Sequence, residues 1–168
     1  MTVYHGSNLE IDTIDLQKCR RFKDFGQGFY VTSLEDQAKR MAKRTVQRLG
    51  GVPTVTSFEF DVSLLNTLST LEFKSVSDAW AVFIVNNRDR QFNNVNEPLS
   101  NHDNKYDIVY GAVANDDIAT TFALFRDGII DAETLTKRLQ YKKLSNQYSF
   151  HTAEALRLLK KTGAKTYD

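Results

Sequence analysis

The spacing of hydrophobic and polar residues predicts a chain that mixes strands with helices. Apolar and polar residues alternate over residues 52–62, which predicts a strand whose two phenylalanines share one face. Apolar residues at helical spacing predict a helix that is capped near Ser33 and ends at Gly50. A nearly continuous apolar run predicts a largely buried helix over residues 78–87.

Shorter segments complete this pattern. Further strands are predicted at residues 3–6, from residue 30 onward, at residues 106–113 and at residues 147–151. Further helices are predicted at residues 118–125, at residues 131–144 and from Thr152 through Leu159. Residues 64–73 are predicted to form a turn, and the Asn-rich residues 89–105 the longest loop, a candidate lid. Because no repeat or domain boundary is visible, we expect one domain over residues 1–168.

The stretch from Phe25 to Thr32 combines two glycines with an aromatic and β-branched segment. Gly26 and Gly28 predict a tight turn, because glycine adopts positive φ without steric cost. The chain then extends, which puts Tyr30 at the start of a strand beside the turn. A planar ligand could approach this backbone closely; a buried core tyrosine is the alternative interpretation.

Composition narrows the classes of partner. The chain has 168 residues with 22 basic and 21 acidic side chains, so bulk charge gives no argument for nucleic-acid or anionic-membrane binding. Basic residues cluster over residues 18–23, where they could contact phosphates or belong to a plain surface loop. A second cluster, over residues 39–48, has helical spacing that indicates a solvated helix face. No segment approaches the roughly 18 apolar residues of a membrane span, and the first residues lack a signal-peptide pattern. We therefore expect a cytoplasmic protein with no membrane partner.

Several large classes of enzyme lack their motifs here. The histidines show no metal-binding spacing and there is no cysteine pair, so no metal site is predicted. Phosphate loops, dinucleotide fingerprints and serine nucleophile elbows are also missing from the sequence. The basic neighbours of the single cysteine, Cys19, predict a lowered pKa, but nothing around it resembles a thiol-enzyme signature.

Two early motifs and one late segment carry a resemblance to a known superfamily. The early motifs are Tyr4-His5-Gly6-Ser7 and, about twenty residues later, Phe25-Gly26-Gln27-Gly28-Phe29-Tyr30, with a helix following. Together they resemble the catalytic domain of the diphtheria-toxin and poly(ADP-ribose) polymerase branch of ADP-ribosyltransferases. The late segment, residues 146–151, is similar to the strand on which that branch keeps a glutamate. More closely, residues 24–32, 106–117 and 147–152 resemble a small bacterial family of unknown function, DUF3990-like, that is usually grouped with these transferases.

The resemblance implies an α+β fold, with a split, mainly antiparallel sheet, flanking helices and NAD in the cleft between the sheet halves. It also implies that NAD, as a substrate, is bound by His5, Gly6, Ser7, Gly28 and Tyr30. In this assignment His5 bonds the ribose, the Gly6 backbone pairs with the nicotinamide carboxamide, and Tyr30 stacks on the nicotinamide ring. Ser7 assists near the adenosine. In the plainer alternative, His5 and Tyr30 are ordinary core residues.

The departure from the family pattern is Gln147, which stands where the family has a glutamate. A carboxylate there stabilises the oxocarbenium-like ion that forms as the nicotinamide–ribose bond breaks, and its loss costs about 2.7–4 kcal/mol, or a hundred- to thousandfold in rate. The resemblance therefore leaves a slow enzyme, a carboxylate borrowed from Asp24, Asp116 or Asp117, or binding without reaction. Alternatively, the last two aspartates cap a helix and Gln147 is an ordinary strand-edge residue.

Three functional hypotheses follow. The first is a mono-ADP-ribosyltransferase acting on a protein or nucleic-acid acceptor, and the family likeness adds a bacterial toxin role with a small antitoxin partner. The second is a weak or inactive pseudoenzyme that binds NAD or ADP-ribose and acts through partner binding. The third, transfer of a phosphate from RNA to NAD, is disfavoured because the sequence lacks a concentrated basic face. The first requires His5, Tyr30 and Gln147 to converge on one nicotinamide pocket.

Overall fold

The computed structural model describes residues 1–93, 99–113, 119–139 and 146–168, and this part of the chain is α+β. Its seven strands are β1 (Thr2–Ser7), β2 (Phe29–Thr32), β3 (Thr54–Phe60), β4 (Thr70–Glu72), β5 (Ile108–Ala112), β6 (Asn146–Phe150) and β7 (Leu159–Thr166). Its five α-helices are α1 (Glu35–Leu49), α2 (Asp78–Arg88), α3 (Ala119–Arg126), α4 (Ala132–Leu139) and α5 (Ala153–Leu156). Short 3-10 helices span Leu16–Lys18 and Val62–Thr67.

The strands form one sheet that opens near its middle. The strand order is β4-β5-β6-β2-β1-β3-β7, and every neighbouring pair is antiparallel except β4 and β5. Pairing of β1 with β3, and of β2 with β6, runs along the whole of β1 and β2. Within the described residues, however, β1 and β2 pair at one position, Tyr4 opposite Thr32. We call the unpaired opening beyond that position the split. The predicted fold class, a mainly antiparallel sheet with flanking helices, is confirmed.

Two hydrophobic clusters pack on opposite faces of the sheet, because β2 points alternate side chains to each. The first cluster consists mainly of α2, α4 and β5 residues, and its largest buried side chains are Phe25, Trp80, Phe83, Ile84, Leu135 and Leu139. The second cluster lies among β1, β2, β3 and β6, with Val3, Phe29, Val31, Phe58, Phe60 and Phe150 buried. Trp80 shows how polar atoms are satisfied in the core, since its indole N–H donates to the Ala112 carbonyl at 3.0 Å.

The Asn-rich segment after α2 is tied to that helix in the part that the structure describes. Buried Asn101 donates its backbone N–H to the side chain of buried Asn87 at 2.8 Å. Its own side chain bonds both backbone groups of Tyr106. The asparagines therefore satisfy buried backbone at this turn. Residues 94–98 of the predicted loop lie outside the described residues.

Three local predictions were wrong. The final predicted helix stops at Leu156, and Leu159 instead opens β7, opposite Phe60 of β3. Leucines at helical spacing misled the prediction, because pairing with the edge of β3 overrides local propensity. The predicted turn at residues 64–73 contains β4, which is too short to show alternation. At the start of α1 the N-cap position is Leu34 rather than Ser33, and no side chain makes a capping hydrogen bond there.

Candidate functional site

Tyr30 clamps the glycine turn that precedes β2. Its hydroxyl donates to the Gly26 carbonyl at 2.7 Å and accepts from the Phe25 backbone N–H at 3.0 Å. Gly26 has a φ of +96°, so the turn needs glycine there. Burial, followed by the neighbouring Asp24 carboxylate, raises the pKa of Tyr30 well above its ordinary value. The phenol therefore keeps its proton at neutral pH and acts as a structural clamp.

The ring of Tyr30 is half-buried and already has neighbours. Phe25 lies nearly parallel to it, with 6.4 Å between centroids, and His151 meets it edge-on. The Lys23 ammonium lies 5.5 Å from the ring centroid, at cation–π distance. A planar ligand that stacks on Tyr30 would therefore meet Lys23, whose flexible stem can move aside.

The Tyr30 clamp holds Asp24 in the centre of a buried polar chain. Asp24 is 5 % exposed, and its Oδ1 accepts from Nε of Arg88 at 2.7 Å and from a second nitrogen of the same guanidinium. Burial alone would raise the pKa of Asp24, but the charges of Arg88 and Lys23 and its hydrogen bonds outweigh burial and lower that pKa. Asp24 is therefore a buried carboxylate that stays charged at neutral pH.

Gln147 meets the other oxygen of this carboxylate. Its Nε2 donates to Asp24 Oδ2 at 3.0 Å, and a charged carboxylate can only accept, so the amide orientation is fixed. Gln147 Oε1 consequently points away from Asp24 and accepts from none of the residues that the structure describes. Gln147 lies opposite Thr32 of β2, on the face of the sheet that carries Tyr30. The site thus presents an amide oxygen, with a charged carboxylate behind it.

His5 reaches across the split from β1. Its Nδ1 lies 2.7 Å from the Tyr30 carbonyl, which can only accept, so Nδ1 carries the proton. Burial lowers the pKa of His5, and the backbone hydrogen bond opposes this only in part. The neutral ring is left with Nε2 as a hydrogen-bond acceptor. A ribose hydroxyl group could therefore bond His5 only as a donor, because the carbonyl already takes the only N–H of the ring.

The three side chains expected to converge are connected, but they do not share one face. Tyr30 and Gln147 lie on the same face and are joined through Asp24. The His5 ring stacks on Phe29, with 4.3 Å between centroids, and Phe29 belongs to the second cluster on the opposite face. His5 therefore touches Tyr30 through the main chain at the split. Any ligand common to all three must lie in the split itself.

The predicted glycines have packing reasons for being glycine. A Cβ on Gly6 would lie 1.9 Å from the Ala38 carbonyl oxygen, so the α1 helix can approach β1 only because Gly6 has no side chain. A Cβ on Gly28 would lie 2.7 Å from Nδ1 of His151. Both positions are explained by close packing, so neither glycine is in itself a sign of a ligand.

The remaining predicted residues have simpler outcomes. Ser7 is half-buried at the end of β1, where its hydroxyl donates to Asn8 Oδ1 over a long 3.4 Å. Asp116 and Asp117 lie outside the described residues. Within residues 1–93, 99–113, 119–139 and 146–168, no cluster of three or more His, Cys, Asp or Glu could hold a metal ion. In the same ranges no helix combines the length and hydrophobicity needed to cross a membrane.

Cys19 differs from its prediction. Burial, and then the Asp15 carboxylate, raise the pKa of the thiol to about 11. The neighbouring cations are too solvated to oppose this, because their side chains extend outward from a surface turn. The thiol therefore stays protonated at neutral pH and is a poor nucleophile.

Sequence reasoning missed two supports of the site. Arg88 fixes Asp24 across 64 positions of chain, and no local pattern links the two residues. His151 and Ser149 form a buried pair behind the glycine turn, with 2.8 Å from His151 Nδ1 to the Gln27 carbonyl and 2.8 Å from Nε2 to the Ser149 hydroxyl. Burial lowers the pKa of His151 to about 4, so it acts as a neutral spacer that holds the turn.

Comparison with known families gives one match. A family described as a protein of unknown function (DUF3990) matches residues 1–161. A search of curated proteins found no match to the chain.

Proposed function

The chain belongs to the DUF3990 family, and we propose that it is an NAD-dependent mono-ADP-ribosyltransferase. The observation that carries the proposal is the fixed orientation of Gln147: a buried, charged Asp24 holds its amide nitrogen, and its oxygen accepts from none of the described residues. The sequence resemblance aligns Gln147 with the glutamate of those transferases. The split in the sheet lies beside it, between His5 and Tyr30.

The hydrogen-bonding groups of the site suit a ribose. His5 Nε2 and Gln147 Oε1 are both acceptors, and ribose hydroxyl groups are donors that pair with them. The β1 edge at Gly6 lies beyond the one position where β1 and β2 pair, which suits pairing with a carboxamide. The half-buried face of Tyr30 suits the adjoining nicotinamide ring.

The proposed reaction breaks the bond between nicotinamide and ribose. Nicotinamide leaves with the bonding electron pair, the acceptor's nucleophile bonds to the ribose carbon, and its proton passes to solvent. Positive charge develops on the ribose during this step, so negative potential beside it accelerates the reaction. Gln147 Oε1 supplies a partial negative charge, and Asp24 polarises that amide from behind. Because Arg88 offsets the charge of Asp24, we expect slow turnover.

A specific observation also favours the second candidate, an NAD-binding pseudoenzyme. The carboxylate nearest to Gln147 in the described residues is already paired with Arg88. If that pair cancels the potential at the ribose, the site would bind NAD without cleaving it. Calorimetry together with nicotinamide release separates the two: binding with no release, with any acceptor mixture, favours the pseudoenzyme.

The test of the enzyme proposal compares nicotinamide release from NAD by the wild-type protein and by Gln147→Ala. Losing one neutral hydrogen bond should lower the rate about fivefold, because such a bond is worth about 1 kcal/mol. Exposed Gln17 on the first 3-10 helix offers the matched control, since Gln17→Ala removes the same amide outside the site. His5→Ala should weaken NAD binding by a similar factor. Equal rates in all four proteins would contradict the proposal.

The toxin and antitoxin roles and the cytoplasmic location stay predictions. Expression in a bacterium should slow growth if the transferase modifies an essential acceptor, and His5→Ala should relieve the effect. Growth that is unaffected by the wild-type protein would leave the toxin role without support.

A further inference from the structure

A second polar region lies on the far side of Asp24 from the split. A cavity of about 390 Å³ opens between the last turn of α2, the residues that follow it, and α3. Among the described residues, three arginines line it, Arg88, Arg90 and Arg126, together with one acidic residue, Asp89. We call this the arginine cavity. Its guanidinium groups suit a ligand that carries phosphate groups.

The three arginines are arranged differently. Arg88 is 20 % exposed and is held by Asp24, so its guanidinium has a fixed position in the wall of the cavity. Arg126 lies 3.7 Å from Asp127, an exposed pair that is worth little and can be exchanged for a phosphate. Arg90 is exposed, with its guanidinium 5.5 Å from the centroid of the Phe22 ring. The cavity therefore combines one fixed cation with two that can move to a ligand.

Aromatic rings continue from the cavity along the same surface. The guanidinium groups of Arg21 and Arg90 lie 5.3 and 5.5 Å from the centroid of the Phe22 ring. Its backbone has a φ of +57°, a left-handed conformation that costs about 1–2 kcal/mol for a residue other than glycine. His102 packs near it and near Phe92, with 6.0 and 6.1 Å between centroids. Half-buried rings near arginines are surfaces on which unpaired bases stack.

We propose that this surface binds a single-stranded nucleic acid, and that this strand is the acceptor of ADP-ribose. The inference about the acceptor rests on the proposed function. Arg88 belongs to both regions, since it lines the cavity and holds Asp24, which in turn holds Gln147. The strand would thus lie on the Gln147 side of Tyr30, opposite His5. In the transfer, a nucleophilic nitrogen or oxygen of the strand bonds to the ribose carbon and loses its proton as nicotinamide leaves.

Bulk charge gave no reason to expect this partner. The net charge is only +1, and the arginines come from three separate segments of the sequence. The fold brings Arg21, Arg90 and Arg126 to one region, where local potential rather than net charge attracts a phosphate chain.

Binding is tested without NAD, by fluorescence anisotropy of labelled single strands of about 12 nucleotides, one of DNA and one of RNA. We expect salt-dependent binding of at least one strand. In R90A/R126A the slope of log affinity against log salt should fall by about 1.4, because each phosphate contact on a single strand contributes about 0.7. The charge-matched control is K43A/R48A on α1, which removes two exposed cations from the other half of the sheet and should leave the slope unchanged. F22L should weaken binding without changing the slope.

Binding that is absent, or unchanged in R90A/R126A, would overturn the proposal. The proposal would also be overturned if ADP-ribose displaced the strand and R90A/R126A no longer bound ADP-ribose. In that case the cavity would hold the NAD pyrophosphate. A second assay measures transfer of label from biotinylated NAD to the bound strand. Nicotinamide release with no labelled strand, or labelling of a protein acceptor alone, would overturn the acceptor assignment. A protein that binds the strand but never cleaves NAD would instead refute the proposed function, so the two failures are distinguishable.

Discussion

Moving the carboxylate of the site from position 24 to position 147 should require substitution of both residues, not of Gln147 alone. From the sequence alone, a glutamate at position 147 is expected to restore the missing charge of the transferase site. The structure gives a different expectation, because the new carboxyl group would lie where Gln147 Nε2 now donates to Asp24 Oδ2 at 3.0 Å. The substituted site would bring two carboxylates together with one guanidinium, that of Arg88, to neutralise them.

The magnitude decides which protonation state results. Two unit charges 3.0 Å apart repel by about 5–6 kcal/mol at an effective dielectric constant of about 20. Protonating an ordinary glutamate at pH 7 costs only about 4 kcal/mol. The new carboxyl group in Gln147→Glu should therefore take up a proton, donate it to Asp24 and present a neutral oxygen, much as the glutamine does. We expect nicotinamide release within about threefold of wild type.

The double variant Asp24→Asn/Gln147→Glu removes this conflict. The amide at position 24 can donate to the new carboxylate. The total charge of the site stays the same because one carboxylate is removed and one is introduced. Full negative charge then faces the ribose. Since one preorganised electrostatic group is worth about a hundred- to thousandfold in rate, the double variant should release nicotinamide at least a hundredfold faster than Gln147→Glu.

The assay measures nicotinamide release at saturating NAD, with chromatography as the method of detection. Thermal unfolding establishes that each variant is folded. Asp24→Asn alone is the control, because it keeps Gln147 and removes only the buried charge. A hundredfold gain in Gln147→Glu by itself would refute the repulsion argument. If neither variant exceeds wild type, the absence of a full charge at position 147 does not limit the rate.

Three further predictions concern the supports of the site. Gly28→Ala should destabilise the protein by about 1–3 kcal/mol in chemical denaturation, whereas Gly163→Ala, which meets nothing within 4 Å, should be near neutral; equal effects would contradict the packing argument. Burial lowers the folded pKa of His151 to about 4, so as the pH falls from about 6.5 to 4 the unfolded chain takes up the proton first, and the free energy of unfolding should drop by about 3 kcal/mol. His151→Gln should weaken this dependence of the free energy of unfolding on pH. If the dependence is unchanged, other groups cause it. Asp24→Ala should cost about 3–5 kcal/mol by removing the buried carboxylate of an ion pair, against less than about 1 kcal/mol for Glu133→Ala in an exposed pair. Similar costs would show that the Asp24 pair is not effectively buried.

Local signals were enough to predict much of the fold. The ends of α1 and α2 lie within a few residues of their predicted positions, because periodicity and glycine act over short stretches. The tight turn before Tyr30 was also predictable, since Gly26 takes up a positive φ. β7 was not predictable, because its leucines fit a helix equally well and only the free edge of β3 decides the outcome.

The polar chain of the site was not accessible to the same reasoning. Asp24 was one of three candidate carboxylates, with nothing in the sequence to rank it above the others. Its partners Arg88 and Gln147 are 64 and 123 positions away, and a contact at such separation leaves no periodic trace. The role of Tyr30 also changed, since its hydroxyl clamps the turn that carries Asp24.

These contacts change what a substitution at Gln147 can report. The amide is neutral, but its orientation depends on Asp24, and the charge of Asp24 depends on Arg88. The potential at the ribose is therefore a property of three residues from three elements, and a variant at one position alters the protonation of another. It follows that the charge-conserving exchange, rather than the single substitution, measures how far negative charge limits the reaction.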